Sequence, residues 1–190
     1  NSPFTTSVDS ISVDANDSVN VDLIFNPTSI GLFTDTLNFT GSVFGGGSII
    51  LNGEGVLVSI TVSTDSLNLG NASLSSSNTD SILINNTGTG TMYISNIISS
   101  NSEFTASPNS ATIPQGGSMY VNITYTPILT GLSTATIGIV SNDPNTPIYN
   151  IYVEGTAVSQ VSGNICNDTW VPVNNPYLFT NNVTIAEGCQ

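Results

Sequence analysis

The stretch 119-MYVNITYTPILTGLSTATIGIVSNDPNTPIYNIYVEG-155 decides the fold. In its first part Met119, Val121, Ile123 and Tyr125 share one face, while Asn122 and Thr124 point the other way. ATIGIVS (135–141) alternates again, NDPNTP (142–147) is turn chemistry, and IYNIYVEG (148–155) returns as the second arm of a hairpin. Upstream, SITVS (59–63), DSLNLG (65–70), SILIN (81–85) and TMYISNII (91–98) read as strands, with Leu67 and Leu69 on one face. EFTAS and ATIP are short edge pieces, and SSSNTD, NNTGTG and PQGGS are turns. No stretch has a helical period. Seven or eight short strands between turns predict a two-sheet sandwich over 58–158.

The same pattern occurs twice. Residues 1–58 align on 101–158 without a gap, matching NSPFT (1–5) to NSEFT (101–105). Val21/Val121, Pro27/Pro127, Gly31/Gly131, Leu32/Leu132, Glu54/Glu154 and Gly55/Gly155 also match. A period of about a hundred residues is a whole domain, well beyond a solenoid coil. Residues 1–57 therefore read as the second half of a sandwich and 58–158 as a complete one. Residues 159–190 form a tail or the start of another module. The chain is expected to be all-β: tandem immunoglobulin-like β-sandwiches, the first incomplete at its N-terminus, plus a short disulfide-closed β tail.

Composition removes whole classes of function. The 190 residues contain no Lys, Arg or His and 13 acidic residues, for a formal net charge of −13. Nucleic-acid binding requires cations on phosphates, and a polybasic membrane patch requires them too. No Ser-His-Asp or Cys-His site, Schiff-base amine or phosphate clamp can be assembled from these side chains. No apolar run approaches the ~20 residues of a membrane-spanning helix. The expected partners are copies of the chain or adjacent repeats of a longer one, with no nucleic acid and no direct membrane insertion. The expected cofactor and metal content is none.

Cys166 and Cys189 close a loop of roughly two dozen residues, which a disulfide would stabilise by about 3 kcal/mol in the chain-entropy model. An even count in a Ser/Thr/Asn-rich chain favours the bridge and an oxidising, extracellular or cell-surface setting. Glycosylation sequons stand at Asn16, Asn38, Asn71, Asn85, Asn122, Asn167 and Asn182, a number that composition alone would give.

The run FTASPNSATIPQGGSMYVNITYTPILTGLSTATIGIVSNDPNTPIYNIYVEGTAV (104–158), with LNLGN and INNTGTGTMYISNI before it, resembles the immunoglobulin-like repeat of the Hydin-type family. In bacterial surface proteins that repeat is described as a choice-of-anchor D module. The resemblance implies a sandwich used as spacer, scaffold or adhesive unit and supplies no catalytic residues. The segment 162-SGNICNDTWVPVNNPYLFTNNVTIAEGCQ-190 is similar to the opening segment of secreted parallel β-helix proteins, where a Trp and an NPY lead into VTI.

Other candidate sites read as structural. DANDSVNVD (14–22) spaces Asp14, Asn16, Ser18, Asn20 and Asp22 like the front of a calcium loop, but lacks the glycine and the bidentate Glu, leaving a polar solvent face. Asp143 and Asn145 offer oxygen ligands in what is ordinary turn sequence. Glu54 and Glu154 are a carboxylate pair best placed at domain junctions, and Trp170 and Tyr177 best anchor the tail. The function expected is a non-enzymatic extracellular structural protein: a module of a fibre, filament or stalk. The alternatives are a spacer or cap of a secreted β-helix enzyme, or a glycan- or calcium-binding adhesin. Three readings fit the half repeat at Asn1: an arbitrary start within a longer array, a subunit completed by strands from a neighbour, or a reduced sheet packed on the complete domain. The cysteine pairing is directly testable: alkylation of the denatured chain without reductant should leave Cys166 and Cys189 unmodified, and reduction should expose both.

Overall fold

A computed structural model describes residues 2–41, 45–165 and 177–185. The described residues form strands and turns without a helix, in two compact units, 1–57 and 58–190.

The first unit has β1 (Phe4–Thr6), β2 (Leu23–Phe25), β3 (Gly31–Gly41) and β4 (Gly45–Gly55). β1 pairs antiparallel with β2, and β3 with β4, as separate two-stranded sheets. Aromatic rings join them: Phe4 and Phe25 lie 4.7 Å apart between centroids, and Phe25 meets Phe33 edge-on at 5.9 Å.

The second unit holds β5 (Ile60–Val62), β6 (Ser66–Ser73), β7 (Asn78–Asn86), β8 (Met92–Ser99) and β9 (Phe104–Ser107). β10 (Ala111–Ile113), β11 (Ser118–Tyr125), β12 (Gly131–Ser141), β13 (Ile148–Ile165) and β14 (Tyr177–Ile185) follow. One sheet runs β5-β7-β11-β9 and the other β10-β8-β12-β13, with β6 and β14 both paired to β13. β5 and β6, read as separate strands from sequence, lie in different sheets. The two short edge pieces divide likewise, as β9 and β10.

Alternation supplies the core. Ile82 and Ile84 of β7, Met92 and Ile94 of β8, Val121, Ile123 and Tyr125 of β11, Ile137 and Ile139 of β12, and Ile151 and Val153 of β13 are all fully or almost fully buried. Each such side chain stabilises the fold by about 1.5–3 kcal/mol relative to exposure. Two bulges shift the phase. Ser95 is skipped where Val140 pairs with Asn96 and Ser141 with Ile94, so the inward series passes from Ile94 to Ile97. Gly70, at φ +71°, does the same in β6, passing the inward position from Leu69 to Ala72.

The gapless alignment of the two repeats does not survive in the last hairpin. Phe33 pairs with Gly53 in the first unit, whereas Ser133 pairs with Gly155 in the second. Gly53 thus takes the place of Gly155, and Glu54 corresponds in space to Thr156, so the sequence match of Glu54 to Glu154 is not a structural one. The hairpin of the first unit is two residues shorter, and an even difference keeps every side chain on its own face. Both glycines serve one purpose. A Cβ on Gly155 would lie 2.4 Å from Tyr125 Cδ1, and one on Gly53 2.7 Å from the Phe25 ring.

Asp143 ties the start of the second unit to the turn between β12 and β13. Its carboxylate, almost fully buried, accepts from the N–H of Ile60 at 2.8 Å, of Asn145 at 2.8 Å and of Thr146 at 3.1 Å. Burial pushes its pKa up, but the three N–H groups outweigh burial and hold it below the ordinary value. The unfolded chain then takes up the proton first, so this contribution is complete above about pH 4 and is lost as pH falls through the depressed folded value.

Two predictions follow from this packing. Asp143→Asn should lower stability at pH 7 by about 2 kcal/mol and flatten its decline below pH 4, as measured by urea unfolding across pH. Gly155→Ala should cost about 2 kcal/mol or more, while Gly138→Ala, whose Cβ would meet nothing closer than 3.4 Å, should be nearly neutral.

Candidate functional site

The first and last strands of the sandwich lie side by side. β6 pairs parallel with β13 through Tyr152↔Ser66, Val153↔Leu67, Glu154↔Asn68, Thr156↔Asn71, Ala157↔Ala72 and Val158↔Ser73. β13 then continues past the sandwich, and β14 adds to it in parallel, Ser159–Val161 opposite Tyr177–Phe179 and Gly163–Ile165 opposite Val183–Ile185.

Side chains fasten the β6–β13 pair along its length. At its head, the Tyr149 hydroxyl donates to the Asp65 carboxylate and the Tyr152 N–H to the Asp65 carbonyl at 2.9 Å. The hydrogen bond to Asp65 holds the Tyr149 pKa above its usual value, with burial and the carboxylate's charge acting in the same direction. Further along, Asn68 Nδ2 donates to Glu154 Oε1 at 2.6 Å while Asn68 Oδ1 accepts from the Gly70 N–H at 2.8 Å. Asn78 Nδ2 spans the bulge, donating to the carbonyls of Leu69 and Asn71 at 2.8 Å each. Asp143 holds β5 just ahead of this series.

Two further polar side chains, the buried Asn86 and the half-buried Glu103, fix loops. Asn86 is buried with its amide fully engaged: Nδ2 donates to the carbonyls of Gly90, Ile113 and Pro114, and Oδ1 accepts from Gly88. Glu103 accepts from Ser133 Oγ and the Ile128 N–H, each at 2.6 Å, and from Asn101 Nδ2. Burial works to raise the Glu103 pKa, and these donors together bring it below its ordinary value.

The residues singled out from sequence are scattered. Residues 14–22 are exposed, with a turn at 15–16. Both Asp143 oxygens are taken by backbone N–H groups, as turn chemistry requires. Glu154 fastens β6. Asn16, Asn38, Asn71 and Asn122 are exposed and Asn85 is half-buried. Asn182 is in β14, and Tyr177 begins that strand. Cys166, Cys189, Asn167 and Trp170 lie outside the described residues, so the disulfide and the closed tail are not placed. Sequence reading missed Asp65, Asn68, Asn78 and Asn86 as fasteners, since each acts on strands or loops whose proximity only the fold creates. Asn68, two residues before the glycine of LNLG, was the one local cue.

Residues 59–156 match the HYDIN/CFA65/VesB-like Ig-like domain family. No curated protein matches the chain in sequence. Among solved structures, PapD-like domain 7 of human CEP192 is 14% identical, covers 52% of this chain and 84% of its own, and superposes with a TM-score of 0.47. A protein of unknown function from Porphyromonas gingivalis W83 is 19% identical, with coverage of 82% and 86% and a TM-score of 0.49. The E. coli chaperone DraB is 13% identical, with coverage of 53% and 56% and a TM-score of 0.43. The family match spans more than half of the chain and coincides with the β5–β13 sandwich, so the chain belongs to the HYDIN/CFA65/VesB-like Ig-like domain family.

Proposed function

We propose that the chain is a non-enzymatic structural protein of the cell exterior, a module in a stalk or fibre that transmits tension. The observation that carries this reading is the parallel pairing of β6 with β13. The chain enters the sandwich at the three-residue β5, which leads straight into β6, and leaves it along β13. In a parallel pair those two exits lie at opposite ends, so tension slides one strand along the other and strains the ladder's hydrogen bonds together. An antiparallel pair would open one bond at a time. Asp65, through Tyr149 and Tyr152, and Asn68, through Glu154, add cross-links to the same seam. The absence of Lys and Arg suits an exterior role, because it leaves no cleavage point for trypsin-like proteases.

A second reading, a module leading into a secreted β-helix, is favoured by one observation. β14 pairs parallel to the end of β13, which is how successive β-helix coils stack.

Pulling single molecules between two choices of cysteine handle tests the mechanical reading. With handles at Leu57→Cys and Ser159→Cys the seam is sheared; at Leu74→Cys and Ser159→Cys it is peeled. The sheared geometry should unfold at least ~10-fold more slowly under the same load. Equal rates would remove the seam from the explanation.

A further inference from the structure

The first unit presents an inward face that its own strands do not cover. Val21 is 42% exposed where its counterpart Val121 is 0%, and Leu23 is 46% where Ile123 is 0%. Phe39 is 53% exposed where Ile139 is 0%, and Ile49, by the two-residue hairpin difference, is 52% where Ile151 is 0%. Two open grooves of about 410 and 550 Å³ run over this face, lined in part by Phe4, Leu23, Leu37, Leu51 and by Val21, Phe39.

The second unit shows what covers the equivalent face. β7 pairs with β11, β8 with β12, and β6 with β13. All three belong to residues 58–100, whose pattern does not recur within residues 1–57. Its secondary structure shows the same deficit. Ser118–Val121 of β11 pair only with β7, while Asn122–Tyr125 also pair with β9. In the first unit only Leu23–Phe25, the part served by β1, is a strand. β10 pairs only with β8, and the equivalent residues 11–13 form no strand.

We propose that the open face of residues 1–57 is a receptor for the front half of an adjacent repeat, a β segment of the same pattern as residues 58–100. The register carries over from the second unit. The segment's equivalent of Ile97 sits opposite Phe39 and that of Ser99 opposite Leu37, antiparallel along the free edge of β3. The equivalents of Leu67 and Asn68 lie beside Leu51 and Asn52, parallel along the free edge of β4. The equivalent of Ile82 faces Val21, extending β2 toward Ser18. An occupant of the same repeat is the one whose apolar spacing and bulges already fit these strands. Asp35, the inward carboxylate of this face, is compatible with it. Its level corresponds to Ala135, past the end of the β8 pairing, and it draws on the Ser2 side chain and the Thr36 N–H, which hold its pKa below the ordinary value. This inference is independent of the seam between β6 and β13.

The test joins a copy of residues 58–100 directly ahead of Asn1 of residues 1–190, with Ile97→Cys in the added copy and Phe39→Cys in the receptor. Facing residues of an antiparallel pair meet the Cα spacing that a disulfide needs. Peptide mapping after oxidation should find that bond, and hydrogen exchange should slow at least ~10-fold over residues 11–13 and 18–22. A scrambled segment of the same composition should give neither. A fusion that fails to fold while the chain alone folds, or one that folds without the bond or the protection, overturns the proposal. Exchange on the chain without the added copy is the second measurement. Protection of β3 that rises with protein concentration would mean that a second copy covers the face, and would overturn it as well.

Discussion

A strand persists only where a partner strand lies beside it, and both repeats obey this constraint. β11 holds eight residues as strand because β7 pairs with every one of them. The equivalent of β11 in the first unit shrinks to three residues, and the equivalent of β10 is not a strand at all. Near-identical patterning thus gives different structure according to what stands next to it, as expected when β-propensity measures fit to a half-buried surface. The long β3–β4 hairpin persists because each arm is the other's partner.

Polar order in this chain is built without cations. Buried carboxylates are commonly paired with a cation; here the buried Asp143 and the half-buried Glu103 are met by backbone N–H groups, hydroxyls and amides. Such donors cannot move away without breaking the fold, so each carboxylate fixes a loop or a strand end. The depressed pKa values come from hydrogen bonds that outweigh burial, and the seam between β6 and β13 uses the same chemistry through Asp65 and Glu154. No described contact depends on an ion pair, so screening by salt has little to act on at these points.

The alternating stretches in 119–155 were sufficient for the two-sheet sandwich and for the inward residues of β11, β12 and β13, because period-two patterning is a local property. The bulges at Gly70 and Ser95 were not legible. Each turns on one residue whose effect appears only in the pairing with a distant strand. The two-residue difference between the hairpins was masked by identities at Glu54/Glu154 and Gly55/Gly155 that are coincidental in space. Of the seam, only Glu154 had been singled out, as a junction residue. Its partner Asn68 lies 86 positions away in sequence, and nothing local couples the two.

β13 is eighteen residues long and crosses from one set of neighbours to another without a break. Its first part is held antiparallel by β12 and parallel by β6, and its last part is held by β14. A domain usually ends in a loop that lets the next module swivel. Here the sandwich passes without a turn into the far half of a strand whose near half is locked within it. Its direction is inherited from the β-sheet, so bending at this exit must distort a paired ladder, and the exit behaves as a beam rather than a hinge.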